Sequence, residues 1–435
     1  MRLAAYPIIA TLLATPAVAQ DRPLTADVTE VYRVGGVNAE EWAFFGPALQ
    51  PGFDGAGNLV VLDAFNKRVV VVGPDGRLVR VVGREGEGPG EFRQVQALAV
   101  WRDGRFAVPD TEHFAIQVFT PDGQLERFVR WPGEARTLSS ALRHREIRAD
   151  PLGDRLIARG VEGVLVEMAN FMYRLRGDPE EDPRGVDDRA LETLDFAGDE
   201  IMARPILQGW RAPRPEPLLS ATELEDWPKV VASLEDRYFE PGFHWDVLPD
   251  GTIAYSDSSA YEIRLARPDG SVIDVLRRPL LPETVSERMQ RATIAFHIQR
   301  LEERLARGPS SAGVLPPRDP EESRQRIRDR AFYHEVPVVR GIGATWDGGL
   351  WIHRRADVPW EDEGPIDVFN ADREYLGTLP SGEPAMPVAF GPDGLVVHLE
   401  RDELDVPTLV VSRVVVGGRY RPGRAYRDSE SATSS

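Results

Sequence analysis

A repeated segment constrains the fold of this 435-residue chain more than any other feature of its sequence. Three stretches align without gaps. In each, an aspartate lies six residues after a glycine, and the glycine of a Pro-Asp-Gly turn lies thirteen residues after that aspartate. The stretches begin at Gly57, Gly104 and Gly251, reach Asp63, Asp110 and Asp257, and end at Gly76, Gly123 and Gly270. Repeats with a period of roughly 40 to 50 residues are typical of propeller blades.

Each repeat predicts a strand, a turn, a second strand, a tight turn and a third strand. The Pro-Asp-Gly turns supply the positive φ angles that tight hairpins need. Runs such as Val69–Val72 and Ile116–Phe119 are apolar on both faces, which is typical of strands covered on each side by a neighbouring sheet. The first two repeats lie 47 residues apart, so the sequence predicts the blades of a β-propeller.

Weaker copies of the repeat fill the rest of the chain. Counting them with the three sharp copies predicts six blades, which start near Trp42, Val95, Arg145, Phe243, Val339 and Pro387. The strand Val28–Val34 is left over at the start. We expect it to complete the last blade, because a closed ring leaves no unpaired strand edge. The predicted fold is therefore an all-β, six-bladed β-propeller with helical insertions.

Two stretches that interrupt the strand pattern predict these insertions, at about 205–238 and at about 283–335. In the second, Thr284 and Glu287 have the spacing of a capping box, and Asp319 followed by Pro320 predicts the start of another helix. The propeller is expected to span 20–416, including both insertions. The polar tail, 417–435, is expected to be disordered.

The N-terminus has the pattern of a secretory signal peptide over 1–19. Arg2 provides a positive charge, 3–13 form an apolar stretch too short to span a bilayer, and the small residues of 17–19 precede Gln20. We therefore expect the protein to be periplasmic or extracellular. The chain contains no cysteine, so its apolar core and not a disulfide must stabilise the exported domain.

The charge of the chain limits its partners. The formal net charge is −18, which repels phosphate backbones and anionic membrane surfaces. No stretch after the signal approaches the roughly 18 apolar residues of a membrane helix. We therefore expect neither nucleic acid binding nor membrane insertion, which leaves a protein, a peptide or a glycan as the partner of a scaffold.

The glycine-rich segment 83–92 reads Gly-Arg-Glu-Gly-Glu-Gly-Pro-Gly-Glu-Phe and is followed by an Asp-Gly strand and Asp110. This pattern resembles the NHL-repeat and related bacterial six-bladed propellers of the TolB-like superfamily. The resemblance is sharp over 53–131 and 243–278 and only architectural elsewhere. A phosphate-binding loop needs a helix after it, whereas a strand follows here, so we interpret the glycines as a turn between blades.

The three repeat aspartates are interpreted as structural. Asp63, Asp110 and Asp257 occupy the same place at the end of a strand, where a carboxylate can accept backbone amides and fix a turn. Catalysis needs different residues that converge from different blades. The chain also lacks Gly-x-Ser-x-Gly, His-Glu-x-x-His and any cysteine, so no catalytic residue is assigned.

A metal site is the alternative hypothesis. The resemblance implies it, because some propeller lyases hold zinc and gluconolactonase-like propellers hold calcium in the central channel. Of the seven histidines, only His244 falls on a predicted innermost strand, and Asp246 and Asp347 are the oxygen ligands that fit beside it. Under this alternative the protein is a metal-dependent hydrolase or lyase that acts on a small metabolite with calcium or zinc as its cofactor.

Tryptophans concentrate near the second predicted insertion. Trp346, Trp351 and Trp360 are accompanied by Arg354 and Arg355. Burial is the default for tryptophan, and the functional hypothesis is an aromatic binding face. The preferred function is therefore a non-catalytic secreted or periplasmic scaffold that binds a protein or peptide through loops on one end of the ring.

Overall fold

A computed structural model describes residues 21–131, 146–159, 189–196, 198–213, 237–307, 319–361, 363–382 and 384–417. The predicted signal peptide, the predicted tail after Gly417 and most of the first predicted insertion lie outside these residues.

Six antiparallel sheets of four strands form the blades of the propeller. In chain order the strands are β1 (Ala26–Gly35); β2 (Leu49–Phe53), β3 (Leu59–Asp63), β4 (Arg68–Val72) and β5 (Leu78–Val82) of blade 1; β6 (Ala99–Val100), β7 (Phe106–Asp110), β8 (Ala115–Phe119) and β9 (Leu125–Arg130) of blade 2; β10 (Glu146–Ala149), β11 (Leu156–Arg159), β12 (Ala190–Asp195) and β13 (Met202–Gln208) of blade 3; β14 (His244–Val247), β15 (Ile253–Ser256), β16 (Glu262–Ala266) and β17 (Val272–Arg277) of blade 4; β18 (Glu283–Thr284) and β19 (Glu335–Val336), which pair outside the blades; β20 (Val339–Ala344), β21 (Leu350–Arg354), β22 (Ile366–Phe369) and β23 (Tyr375–Leu379) of blade 5; and β24 (Ala389–Phe390), β25 (Leu395–Arg401) and β26 (Pro407–Val416) of blade 6.

The N-terminal strand closes the ring. Strand β1 pairs antiparallel with β26, from Ala26 opposite Val416 to Gly35 opposite Thr408, and so becomes the outermost strand of blade 6. This confirms the prediction that the left-over strand completes the last blade. Because the two ends of the described chain share one blade, opening the ring requires the separation of β1 from β26.

Apolar side chains between the blades form the core. Six buried clusters lie one between each pair of neighbouring blades, and the last of them joins blade 6 to blade 1. The middle strands supply most of this surface: every residue of β3, β7 and β8 is buried. Neighbouring blades cover both faces of these strands, which explains why the strands are apolar on both faces.

The three repeat aspartates bind the connection that enters their own blade. Each carboxylate accepts a hydrogen bond from a backbone N–H of that connection. The pairs are Asp63 with Gly46 at 3.2 Å, Asp110 with Arg93 at 2.7 Å and with Gln94 at 3.1 Å, and Asp257 with Trp210 at 2.7 Å. These hydrogen bonds explain physically why the three repeat aspartates have a structural role.

The second insertion contains helices α1 (Glu287–Arg307) and α2 (Pro320–Asp329). Helix α2 begins as predicted, because the Asp319 carboxylate accepts the amides of Glu321 and Glu322 at 2.9 and 3.1 Å. Helix α1 does not use Thr284 as its cap. Thr284 pairs in β18, and the Ser286 hydroxyl accepts the Met289 amide at 3.3 Å instead.

The first insertion differs from its prediction where it is described. Residues 205–208 belong to strand β13, which pairs with β12 as the outer strand of blade 3. The insertion therefore begins after this strand, and most of it lies outside the described residues. With two helices in the described part, the protein is an all-β propeller with a small helical addition. Neither helix has the length and apolar composition needed to cross a membrane.

The connections define two ends of the ring. Turns from the first to the second strand and from the third to the fourth strand lie at one end, here named the hairpin end. Loops from the second to the third strand and the connections between blades, including α1 and α2, lie at the other end, here named the insertion end. The two sets are opposite each other because successive strands run antiparallel.

Candidate ligand site in the central channel

The innermost strands of all six blades line one cavity on the axis of the ring. Its volume is about 460 Å³, which lies within the range of small-molecule pockets. The cavity extends from Leu49 and Glu146, near the insertion end, to Arg102 and Trp346 in turns of the hairpin end. We name it the channel cavity.

The channel cavity has two unlike walls. Blades 5, 6 and 1 provide an apolar wall that includes Phe53, Ile342, Met386, Val388 and Phe390. Among the described lining residues, all the charged ones belong to blades 2, 3 and 4, and they are Arg102, Glu146, Arg148 and Asp246. A ligand in the cavity therefore meets charge on one side and apolar surface on the other.

Arg148 is the centre of the charged wall. Its Nε donates to Asp246 Oδ1 at 2.8 Å, and its Nη2 lies 3.4 Å from Glu146 Oε1. The other oxygen of Asp246 accepts the Ala344 amide at 2.8 Å, which ties blade 4 to blade 5. Burial lowers the pKa of Arg148, but the carboxylates of Asp246 and Glu146 outweigh burial and raise that pKa overall. The Arg148 guanidinium therefore stays charged and lies between the two carboxylates.

Arg102 and Trp346 meet across the channel at the hairpin end. They belong to blades 2 and 5, which are three blades apart and so face each other in a ring of six. The Arg102 guanidinium lies 4.5 Å from the centroid of the Trp346 ring and donates to the Trp346 carbonyl at 3.3 Å. The indole N–H of Trp346 donates to the carbonyl of Phe390 at 2.8 Å, which fixes the ring.

The Arg102 guanidinium has no carboxylate partner within the described ranges. Burial against Trp346 lowers its pKa. Arginine nevertheless stays protonated, because its ordinary pKa is above about 12. A stacked and unpaired guanidinium at the mouth of a cavity is suited to bind a carboxylate.

His244 lies at the insertion end of the innermost strand of blade 4. Burial lowers the pKa of its imidazole to about 3, and the nearby cations of Arg159 and Arg340 contribute to the decrease. The ring is therefore neutral at physiological pH. Ser256 lies opposite His244 in the strand register, and its buried hydroxyl has no hydrogen-bond partner in the described structure.

The three residues of the metal hypothesis do not form a ligand set. The Asp246 carboxylate is already bound by Arg148 and by a backbone amide. Asp347 lies in a turn at the hairpin end and accepts the hydroxyl of Thr345, whereas His244 lies among cations at the insertion end. No group of three histidine, aspartate or glutamate side chains in the described residues is arranged to hold a metal ion. The donors present do not fit calcium or zinc, because guanidinium groups occupy the surroundings that a cation needs.

The five residues of the predicted aromatic face are dispersed. Trp346 and Trp360 lie in the two loops that flank β21, and those loops are at opposite ends of the ring. Trp351 is buried between blades 5 and 6, where its ring lies 5.4 Å from that of Phe390. Of the three tryptophans, only Trp346 lines the channel cavity.

The two arginines of that predicted face have partners inside the protein. Arg354 is buried and forms ion pairs with Asp21 and Asp367. Arg355 lies 3.4 Å from Glu283. The structure therefore does not bring these arginines to a surface shared with Trp346.

Sequence reasoning missed Arg102, Glu146 and Arg148. A signal for the last two was present, because 146–148 read polar, apolar, polar on a predicted innermost strand. No comparable signal existed for Arg102, whose neighbours Asp103 and Gly104 indicate only a turn.

Comparisons with known proteins identify no relative by sequence. No protein-family model matches the chain, and no curated protein matches it. Solved structures align over most of its length. A member of the DUF4221 family from Bacteroides vulgatus has 10% identity and a TM-score of 0.47, over 90% of this chain and 99% of the other. A putative exported protein from Bacteroides fragilis has 10% identity and a TM-score of 0.44, over 90% and 95%.

An enzyme also appears among the solved structures. A gluconolactonase from Xanthomonas campestris aligns with 13% identity and a TM-score of 0.38, over 92% of this chain and 99% of the other. Similarity at this distance says nothing about activity. Any function must therefore be argued from the residues of this chain.

Proposed function

We propose that the protein is a non-catalytic, exported propeller that binds a protein or peptide partner by taking one carboxylate-bearing segment of it into the channel cavity from the hairpin end. The observation that carries this proposal is the Arg102 guanidinium, which is stacked on Trp346 without a carboxylate partner in the described chain. It lies at the mouth of a cavity whose opposite wall is apolar.

The chemistry of the two walls favours a peptide segment. A carboxylate of the partner can pair with Arg102 through two parallel hydrogen bonds, while an apolar neighbour packs on Phe390 and Val388. Tryptophan and arginine are also the residues that most often dominate binding energies at interfaces. The bound segment is therefore expected to combine one acidic group with an apolar side chain.

The net charge of the protein limits the composition of that partner. A chain with a formal charge of −18 repels a highly acidic ligand at long range. Recognition of the carboxylate must then be local, at contact with Arg102. We expect a segment with a single acidic group, either a side chain or a free C-terminus, and neutral or basic residues around it.

The state of the other polar groups supports a role without catalysis. Arg148 binds Asp246 and lies beside Glu146, so the described lining leaves neither carboxylate free to act as a general base. An imidazole with a pKa of about 3, as at His244, is a weak base at physiological pH. Binding is the function that these groups serve best.

The test is the selection of peptide ligands followed by comparison of variants. Random linear peptides with free C-termini are selected on the purified protein, and the dissociation constants of enriched sequences are then measured. Arg102→Gln and Trp346→Ala are each expected to weaken binding at least tenfold. Arg77→Gln, a change at an exposed arginine in another hairpin-end turn, is the matched control and should change affinity less than twofold.

Further variants identify the source of the carboxylate and the end of the ring. Amidation of the peptide C-terminus separates recognition of a terminal carboxylate from recognition of an acidic side chain. Trp360→Ala reports on the insertion end. The proposal fails if no peptide is enriched, if Arg102→Gln and Trp346→Ala bind as well as the wild type, or if only Trp360→Ala loses affinity.

A further inference from the structure

Two buried arginines hold a carboxylate that comes from the far N-terminus of the described chain. Both oxygens of Asp21 are bound by Arg354, whose Nη1 and Nη2 lie 2.9 and 2.8 Å from them. Arg278 Nη2 lies 2.9 Å from the same carboxylate. Asp21 precedes Arg354 by 333 residues, so only the closed ring brings these groups together.

Both arginines also have partners in the propeller besides Asp21. Arg278 Nη1 donates to Asp367 Oδ2 at 2.7 Å, and its guanidinium lies 4.1 Å from the centroid of the Tyr375 ring. The other oxygen of Asp367 lies 3.2 Å from Arg354 and accepts the hydroxyl of Thr378 at 2.6 Å. The two guanidiniums are therefore already aligned for a second carboxylate.

Charge balance requires that second carboxylate. The side chains of Arg278 and Arg354 are only 6% and 10% exposed, and Asp367 is fully buried. Two cations and one anion leave one uncompensated positive charge, which is costly at a buried site. Asp21, whose side chain is 39% exposed, neutralises it at the outer side of the cluster.

The backbone of the N-terminal segment is bound at the same place. The Leu24 amide donates to the Thr378 carbonyl at 2.9 Å, and the Thr378 amide donates to the Arg22 carbonyl at 2.8 Å. Strand β1 begins directly after this segment, at Ala26. The Asp21 carboxylate thus anchors to blade 5 the segment that goes on to close blade 6.

We propose that Arg278 and Arg354 form a carboxylate-binding site whose resident ligand is Asp21, and that the site accepts a small free carboxylate such as formate or acetate when Asp21 is replaced. Occupancy by Asp21 ties the N-terminal segment to blade 5 and stabilises the closed ring. The site is separate from the channel cavity, so either proposal can fail without the other.

Chemical rescue tests this site. Asp21→Ala in the full-length protein is expected to lower the thermal midpoint by about 2 °C or more. Sodium formate or acetate should raise the midpoint of Asp21→Ala saturably toward that of the wild type, whereas sodium chloride at equal ionic strength should not. Asp27→Ala, a change at an exposed aspartate of β1, is the matched control and should show neither the loss nor the rescue.

A double variant assigns the rescue to the arginines. Asp21→Ala combined with Arg354→Gln should not respond to formate, because half of the site is removed. If Asp21→Ala does not fold in chloride, the yield of folded Asp21→Ala on refolding in sodium formate, against sodium chloride of equal ionic strength, replaces the thermal midpoint as the readout. The proposal is overturned if the Asp21 variant melts like the wild type, or if formate raises the midpoints of the wild type and the variant equally.

Discussion

Blades 4 and 5 use the same position of the repeat in opposite ways. Asp257 directly follows the second strand of blade 4, and Arg354 stands at the equivalent place of the repeat in blade 5, six residues after Gly348. Asp257 is satisfied from nearby, by the Trp210 amide at 2.7 Å and by Arg264 of its own blade at 2.8 Å. Arg354 depends on Asp367 and on Asp21, which lies at the other end of the chain.

The contrast between Asp257 and Arg354 distinguishes a contact within one part of the ring from a contact that helps to close the ring. A blade with aspartate at this position fixes the connection that enters it, and the loss of one such contact stays within that part of the ring. A blade with arginine at this position needs carboxylate partners, and one of them, Asp21, belongs to the segment that closes the propeller. The reversed charge in blade 5 therefore couples a repeat position to the closure of the whole ring.

Replacing the two residues should have unequal effects, and this is the largest expected difference. Arg354→Met keeps the aliphatic volume but leaves Asp367 buried with one cation fewer, so we expect a loss of about 3 to 5 kcal/mol in the free energy of unfolding. Asp257→Asn keeps the shape and part of the hydrogen bonding, and we expect a loss of about 1 kcal/mol. Urea denaturation of both variants measures the two values.

The contrast between blades 4 and 5 is contradicted if Asp257→Asn loses more stability than Arg354→Met. A larger loss for Asp257→Asn would mean that the connection entering blade 4 matters more than the charge balance of blade 5. Asp63→Asn in blade 1 is the control, because its contacts to Gly46 and Arg68 are as local as those of Asp257. It should behave like Asp257→Asn.

Much of this comparison was present in the sequence. The repeat predicted the blades, the six-fold count and the closure by 28–34, because apolar runs and Asp-Gly turns are local properties of the chain. The sequence also has Arg354 six residues after Gly348, at the place of the repeat aspartate, but this was not among the predictions. The partner of Arg354 was not predictable, since Asp21 looks like an ordinary residue near the N-terminus until the ring brings it to blade 5.

The channel cavity was predictable only in outline. The alternation of Glu146 and Arg148 marked an inward face, but the contact between Arg102 and Trp346 joins turns 244 residues apart. Knowing that blades 2 and 5 face each other requires the complete ring. The tryptophans near the second insertion are close in sequence, yet the antiparallel strands send Trp346 and Trp360 to opposite ends.

Acid should weaken the anchor of blade 5 by an intermediate amount. The hydrogen bonds and charges of Arg354 and Arg278 lower the pKa of Asp21 from 3.8 to about 2. An acid whose pKa is lower in the folded state adds stability above its unfolded pKa and loses it as the pH falls through the folded pKa. The contribution should thus be complete above about pH 4 and gone below about pH 2.

The measurement is the stability of the wild type minus that of Asp21→Asn as a function of pH. We expect a difference of about 1 to 2 kcal/mol at pH 5, a value reduced because the Asp21 side chain is partly exposed. The difference should shrink as the pH falls from 4 toward 2. A difference that stays constant over this range would show that Asp21 contributes by packing and not by its charge.

Metal ions should have the smallest effect, and they test blade 4 against the hydrolase or lyase alternative. Asp246 is bound by Arg148 and by the Ala344 amide, and His244 lies among cations, so we expect no shift of the thermal midpoint when calcium or zinc is added after chelation. A ligand at about 100 times its dissociation constant would add about 2.7 kcal/mol, which is enough to move the midpoint measurably.

A rise that disappears in His244→Gln or Asp246→Asn would revive the metal-dependent alternative, because Arg148 would then have to release its carboxylate to a cation. A flat response leaves the guanidinium of Arg148 as the partner of Asp246 and keeps the channel a site for anionic ligands.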